Sequence, residues 1–116
     1  MIIIEKTLDF KLLKNNNLII DKNTIAYSKK NDRILFELDD NTFSILIDEN
    51  QFELEKENDD SIFKIGNNNA SIYLKEKELL FPINIEDYKL NIIDNKYVIK
   101  YQLESDDEHT TIEIIL

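Results

Sequence analysis

The chain has no cysteine, one glycine, one proline and one histidine in 116 residues. Without cysteine there is no disulfide framework, no thiolate nucleophile and no cysteine-bound zinc or iron–sulfur centre. A single glycine, Gly66, leaves no phosphate-cradling loop, and no Gly-x-Ser-x-Gly elbow is present, which counts against nucleotide enzymes and elbow-type hydrolases. No apolar run approaches the roughly 20 residues of a membrane span. Met1 to Lys6 has neither the basic nor the apolar region of a secretory signal. A cytoplasmic protein away from membranes is the expectation. Positive charge is also scarce: 14 basic residues against 24 acidic ones give a net charge of −10, which repels phosphate backbones and makes nucleic acid an unfavourable partner.

What is present is enough for one core. At 42% hydrophobic and 33% charged residues the chain reads as a single globular domain over 1–116. Apolar residues recur at every second position in Leu8-Phe10-Leu12, Ile34-Phe36-Leu38, Phe43-Ile45-Ile47, Phe52-Leu54, Ile72-Leu74, Tyr88-Leu90-Ile92, Tyr97-Ile99-Tyr101-Leu103 and Ile112-Ile114-Leu116. That period of two belongs to strands. Polar clusters separate the runs, among them Asn15 to Asn17, Asp39 to Asn41, Asp48 to Asn50, Asn67 to Asn69, Asp94-Asn95 and Ser105 to Glu108. With glycine so scarce, Asn and Asp must supply the left-handed conformations of hairpin turns. Helix formers gather only at Lys75 to Leu80, before Phe81-Pro82, where one short turn is the limit.

The pattern predicts an all-β meander of about eight to ten antiparallel strands. Open sheet edges invite association with other chains, so closure into a small barrel of about eight strands is expected, with a β-sandwich as the alternative. Outer strand positions are mostly polar, as in Glu53-Glu55 and Lys100-Gln102-Glu104; the apolar exceptions are Leu35, Leu46, Tyr73, Ile93, Val98 and Ile115. These six are the candidate partner surface.

The stretch Phe81 to Ile92, followed by Tyr97 to Glu104 and the closing Thr111-Ile112-Glu113-Ile114, resembles the end of the YwiB-like family of uncharacterised bacterial proteins. The resemblance spans about residues 70–116 and implies a calycin-like β-barrel. It carries no activity and no catalytic residue to this chain, and fold alone does not imply function.

Chemistry is sparse. His109 follows Asp106-Asp107-Glu108, and Asp107 and His109 share one face of an extended strand, but the run sits where a hairpin must turn after Leu103. The acidic pairs Asp39-Asp40, Asp48-Glu49 and Asp59-Asp60 lack calcium-loop spacing, and adjacent strand residues point to opposite faces. No catalytic residue, metal site or cofactor is assigned. Two functions of different class follow. One is a non-enzymatic interaction module that meets a protein partner, a basic one by charge, through its acidic face or outer apolar residues. The other is an intracellular binder of a small apolar ligand in an interior lined by Phe36, Phe43, Ile45, Tyr88, Leu90, Tyr97, Ile99 and Tyr101. Large aromatic and branched residues fill a narrow interior, which favours the first.

Overall fold

Alternating apolar residues and short Asn/Asp reversals generate hairpins along the whole chain in a computed structural model, which describes residues 6–48, 51–67, 69–104 and 106–116. The described residues form twelve strands: β1 (Thr7–Lys14), β2 (Asn17–Ala26), β3 (Ser28–Lys30), β4 (Arg33–Leu38), β5 (Asn41–Ile47), β6 (Phe52–Glu57), β7 (Ser61–Gly66), β8 (Ala70–Leu74), β9 (Leu79–Ile83), β10 (Ile85–Ile93), β11 (Lys96–Leu103) and β12 (Thr110–Ile115). Every pairing is antiparallel. The twelfth strand returns to the first, because β12 pairs with β1.

The strands do not close into the expected eight-stranded calycin-like barrel. They form two separate sheets, one of five strands in the order β10-β11-β12-β1-β2 and one of seven in the order β3-β4-β5-β6-β7-β8-β9. The arrangement is sandwich-like. The chain changes sheet at Tyr27, between β2 and β3, and at Asn84, between β9 and β10, as strands do at the corners of packed sheets. Three of the four edge strands are protected by charge in place of closure: β2, β3 and β10 carry Asp21 and Lys22, Lys29 and Lys30, and Glu86, Asp87 and Lys89. Charge discourages pairing at an edge that closure would have removed.

The left-handed backbone positions fall almost where composition placed them. Asn15 and Asn16 turn β1 into β2 with φ of 50° and 66°, and Asp39 and Asp40 turn β4 into β5 with 49° and 64°. Two successive positive φ values match the right-handed twist of the flanking strands. Gly66 has no positive φ; it lies at the end of β7, where an added Cβ would meet Asn69 Oδ1 at 3.4 Å and the Phe52 carbonyl at 3.5 Å. Thr24 (φ 59°) is an exception, at a bulge in β2 opposite Asp9, whose Oδ1 accepts its N–H at 2.9 Å. Glu78 (φ 50°) is another, closing the reversal Lys75 to Glu78. That segment is a hairpin turn, and Leu79 and Leu80 already belong to β9. The reversals read at Asp48 to Asn50, Asn67 to Asn69 and Ser105 to Glu108 include Glu49, Asn50, Asn68 and Ser105, which lie outside the described residues.

The core is built from both inner faces. Leu8 and Phe10 of β1, Ile99 and Tyr101 of β11, and Ile112 and Ile114 of β12 meet Ile34, Phe36 and Leu38 of β4, Phe43 and Ile45 of β5, Phe52 and Leu54 of β6, and Ile65 of β7. Phe10 reaches across the gap, its ring 5.8 Å from Phe36 and 5.3 Å from Phe43, while those two stack at 5.0 Å. Each such side chain fully removed from water contributes about 1.5–3 kcal/mol.

Candidate functional site

His109 and its acidic neighbours serve the chain reversal. Asn15 N–H donates to the His109 carbonyl at 2.9 Å and Asn15 Oδ1 accepts the His109 N–H at 3.0 Å, so the β1–β2 turn clasps the loop before β12. Asp106 Oδ1 accepts the Glu108 N–H at 3.1 Å, a local turn bond. The His109 ring is exposed, and among the described residues no three metal-ligating side chains converge.

The eight interior residues all face the space between the sheets. Phe36, Phe43, Ile45, Ile99 and Tyr101 are buried there, and Tyr88, Leu90 and Tyr97 are half-buried against them. Burial pushes the Tyr101 phenol up to about 12; the charge of Asp106 adds to this, and a hydrogen bond with the Thr110 hydroxyl opposes it. Burial alone pushes Tyr88 up to about 12. Its hydroxyl donates to Asn67 Oδ1 at 3.1 Å, and the same oxygen accepts the Phe52 N–H at 3.1 Å, which ties β10 of one sheet to β6 of the other. Among the described residues a cavity of about 80 Å³ lies between Leu12, Leu38, Phe43, Leu54 and Tyr101, against the roughly 300–1,000 Å³ of ordinary ligand pockets. A wider cleft of about 730 Å³ runs along the bend between β2 and β3, past Lys6, Tyr27, Lys29 and Glu37, and is open to solvent.

The six outer apolar residues divide between the two sheets. Leu35, Leu46 and Tyr73 lie on the outer face of the seven-stranded sheet; Ile93, Val98 and Ile115 lie on the outer face of the five-stranded one. Leu46 stands between Arg33 and Glu53, which form an ion pair at 2.7 Å, with Ser44 Oγ 3.1 Å from Arg33. Ile93 and Ile115 flank Lys96, and Lys96 faces Glu113 at 3.7 Å. Both groups are thus interrupted by charge.

Tyr73 has different company. One cross-strand row on the outer face runs Glu37, Thr42, Glu57, Ile62, Tyr73, Leu80. It passes from acidic to apolar, and Glu57 is paired with Lys75 at 2.7 Å. On the inner face of the same strands, Ile72 opposes Phe81 and Leu74 opposes Leu79. Among the described residues Phe63 and Ile83 pack against the buried core, Ile72 and Leu74 are not part of that cluster, and Leu79 and Phe81 are exposed. The seven-stranded sheet therefore overhangs the five-stranded one at β8 and β9. Leu79, Leu80 and Phe81 are 46%, 63% and 46% exposed. Sequence reasoning missed these three; the signal was an apolar run of both parities, which puts apolar side chains on both faces of a strand.

No family model and no curated protein matches the chain. Among solved structures, the crystal structure of the ywiB protein from Bacillus subtilis superposes with a TM-score of 0.51 over 94% of this chain and 89% of that one, at 15% identity. The two share a fold, and at that identity the likeness extends to the fold alone.

Proposed function

We propose that this protein is a non-enzymatic interaction module of the cytoplasm whose contact surface is the uncovered end of the seven-stranded sheet. The observation that carries this reading is the row Ile62, Tyr73, Leu80 beside Glu37 and Glu57. Exposed apolar groups rimmed by charge are the usual anatomy of a protein contact. The partner that fits is a protein with an apolar anchor for Tyr73 and Leu80 and basic residues toward Glu37 and Glu57, since complementary charge steers association with a chain of net charge −10.

A photo-crosslinking residue at Tyr73, introduced into the full chain in its own cells, tests this. One discrete protein adduct, lost when Ile62 is changed to Glu, is the expected result. The reading falls if native mass spectrometry of the gently isolated chain instead finds a reproducible companion of a few hundred daltons and Tyr73 captures nothing. That outcome turns the assignment to a small apolar ligand held among residues such as Phe43 and Tyr101.

A further inference from the structure

Among the described residues four strands have an open edge: β2 and β10 in the smaller sheet, β3 and β9 in the larger. Three of them, β2, β3 and β10, are guarded by Asp, Glu or Lys side chains. Such charges discourage pairing with a foreign strand. β9, Leu79-Leu80-Phe81-Pro82-Ile83, has no charge, and neither has its neighbour β8. Its apolar side chains stand exposed on both faces.

Proline determines which backbone groups reach the open edge. Pro82 opposes Ser71. Lacking an N–H, Pro82 can sit only in a pair without mutual hydrogen bonds, so the bonded pairs are Ala70 with Ile83 and Ile72 with Phe81. By the same alternation the N–H and C=O of Leu80 point away from β8, to the open edge, together with the C=O of Pro82. The Glu78 N–H is already bonded to the Lys75 carbonyl at 3.3 Å. Among the described residues Leu80 thus holds the free donor of this edge.

We propose that β9 pairs antiparallel with β9 of a second copy of the chain, about a two-fold axis at Leu80. In that register each Leu80 N–H donates to the Leu80 carbonyl of the other copy, so both edge groups of Leu80 are satisfied at once. Leu79 then stands opposite Phe81 of the second copy, and Phe81 opposite its Leu79, bringing together the exposed groups of both faces. Glu78 faces Pro82 and Lys77 faces Ile83, so no like charges oppose one another despite the net charge of −10. A parallel neighbour would require a donor from Pro82 and forfeits that bond. Pro82 also stops the ladder after the central pair, which makes the contact short, smaller than the roughly 1,200 Å² of a standard interface, and reversible. The inference rests on the reading that this end of the sheet is a contact surface, and it names the occupant of the edge.

Sedimentation velocity of the full chain over two orders of magnitude in concentration tests it. A monomer–dimer equilibrium is expected, with Leu80→Lys raising the dissociation constant at least about tenfold and Ile93→Lys, on the outer face of the other sheet, leaving it unchanged. Because the chain lacks cysteine, Leu80→Cys provides a register check that does not depend on affinity: mild oxidation should link two copies, since opposed residues of a bonded pair lie about 5.5 Å apart, and Tyr73→Cys should not. A wild-type chain that stays monomeric throughout, or a dimer that survives Leu80→Lys, overturns the proposal. If the chain is monomeric while Tyr73 still captures another protein, the two-fold pairing fails and the interaction module stands; if Tyr73 captures nothing and no dimer forms, both fail.

Discussion

Strands β4 to β6 and strands β8 to β9 belong to one sheet and share one inner face, yet they meet different surroundings. Ile34, Phe36, Phe43, Ile45 and Leu54 are buried, with Phe10 lying against the two phenylalanines. Ile72, Leu74, Leu79 and Phe81 continue the same face and lie outside the core. The difference teaches that alternation assigns a side chain to a face, whereas its contribution to stability comes from what covers that face. At the covered end the apolar groups hold the fold together. At the uncovered end they are free to meet another surface.

The largest effect that separates the two ends comes from matched phenylalanines. Phe10→Ala should lower the unfolding free energy by about 3–5 kcal/mol, because it removes the ring that Phe36 and Phe43 pack on and leaves a cavity. Phe81→Ala should change it by no more than about 0.5 kcal/mol, as for an exposed position. Urea unfolding of the two variants under dilute conditions checks the contrast; equal losses would mean that the overhang is part of the core.

The next effect is alkaline. The Tyr101 phenol is raised from 10.0 to about 12, chiefly by burial. Between those values the unfolded chain has released a proton that the folded chain keeps, so the stability conferred by the neutral phenol is intact below pH 10 and is lost as pH rises through about 12. The loss amounts to about 2–3 kcal/mol at its limit. Urea midpoints measured across this window should fall less steeply in Tyr101→Phe than in the wild type. Parallel slopes would show that Tyr101 is less enclosed than its place in the core indicates.

The smallest effect lies in the turns that end the two regions. Asp39 turns β4 into β5 at φ 49°, and Glu78 enters β9 at φ 50°. The short side chain of Asp adopts that conformation at lower cost than the long one of Glu. Glu78→Asn should therefore stabilise the chain by about 0.5–1 kcal/mol, read as a rise in the thermal midpoint, while Asp39→Glu should lower it.

Much of this architecture was legible in the residues. The alternations around Phe10, Phe36, Phe43, Leu54, Ile99 and Ile112 correspond to strands whose inner residues are buried. The turns at Asn15-Asn16 and Asp39-Asp40 follow from the scarcity of glycine. The bulges were not legible: β2 shifts register between Phe10 and Leu8, and β10 shifts between Ile85 and Asp87, so each strand changes parity within itself. β9 was obscured because Lys75 to Leu80 has helix propensity, which pairing with β8 overrides. Of the outer candidates, Tyr73 alone joins an unbroken apolar row, because cross-strand neighbours, not sequence neighbours, make a patch.

The sequence by itself determined the all-β class, the inward face of most strands and the chemistry of the reversals, because those depend on a period of two and on side chains that bond their own backbone. Only the tertiary structure decided that two sheets stand apart instead of closing, and that β8 and β9 extend past their cover. Cover for a strand comes from residues far away in the chain, as Phe10 covers Phe43, and no local pattern records how wide the opposing sheet will be.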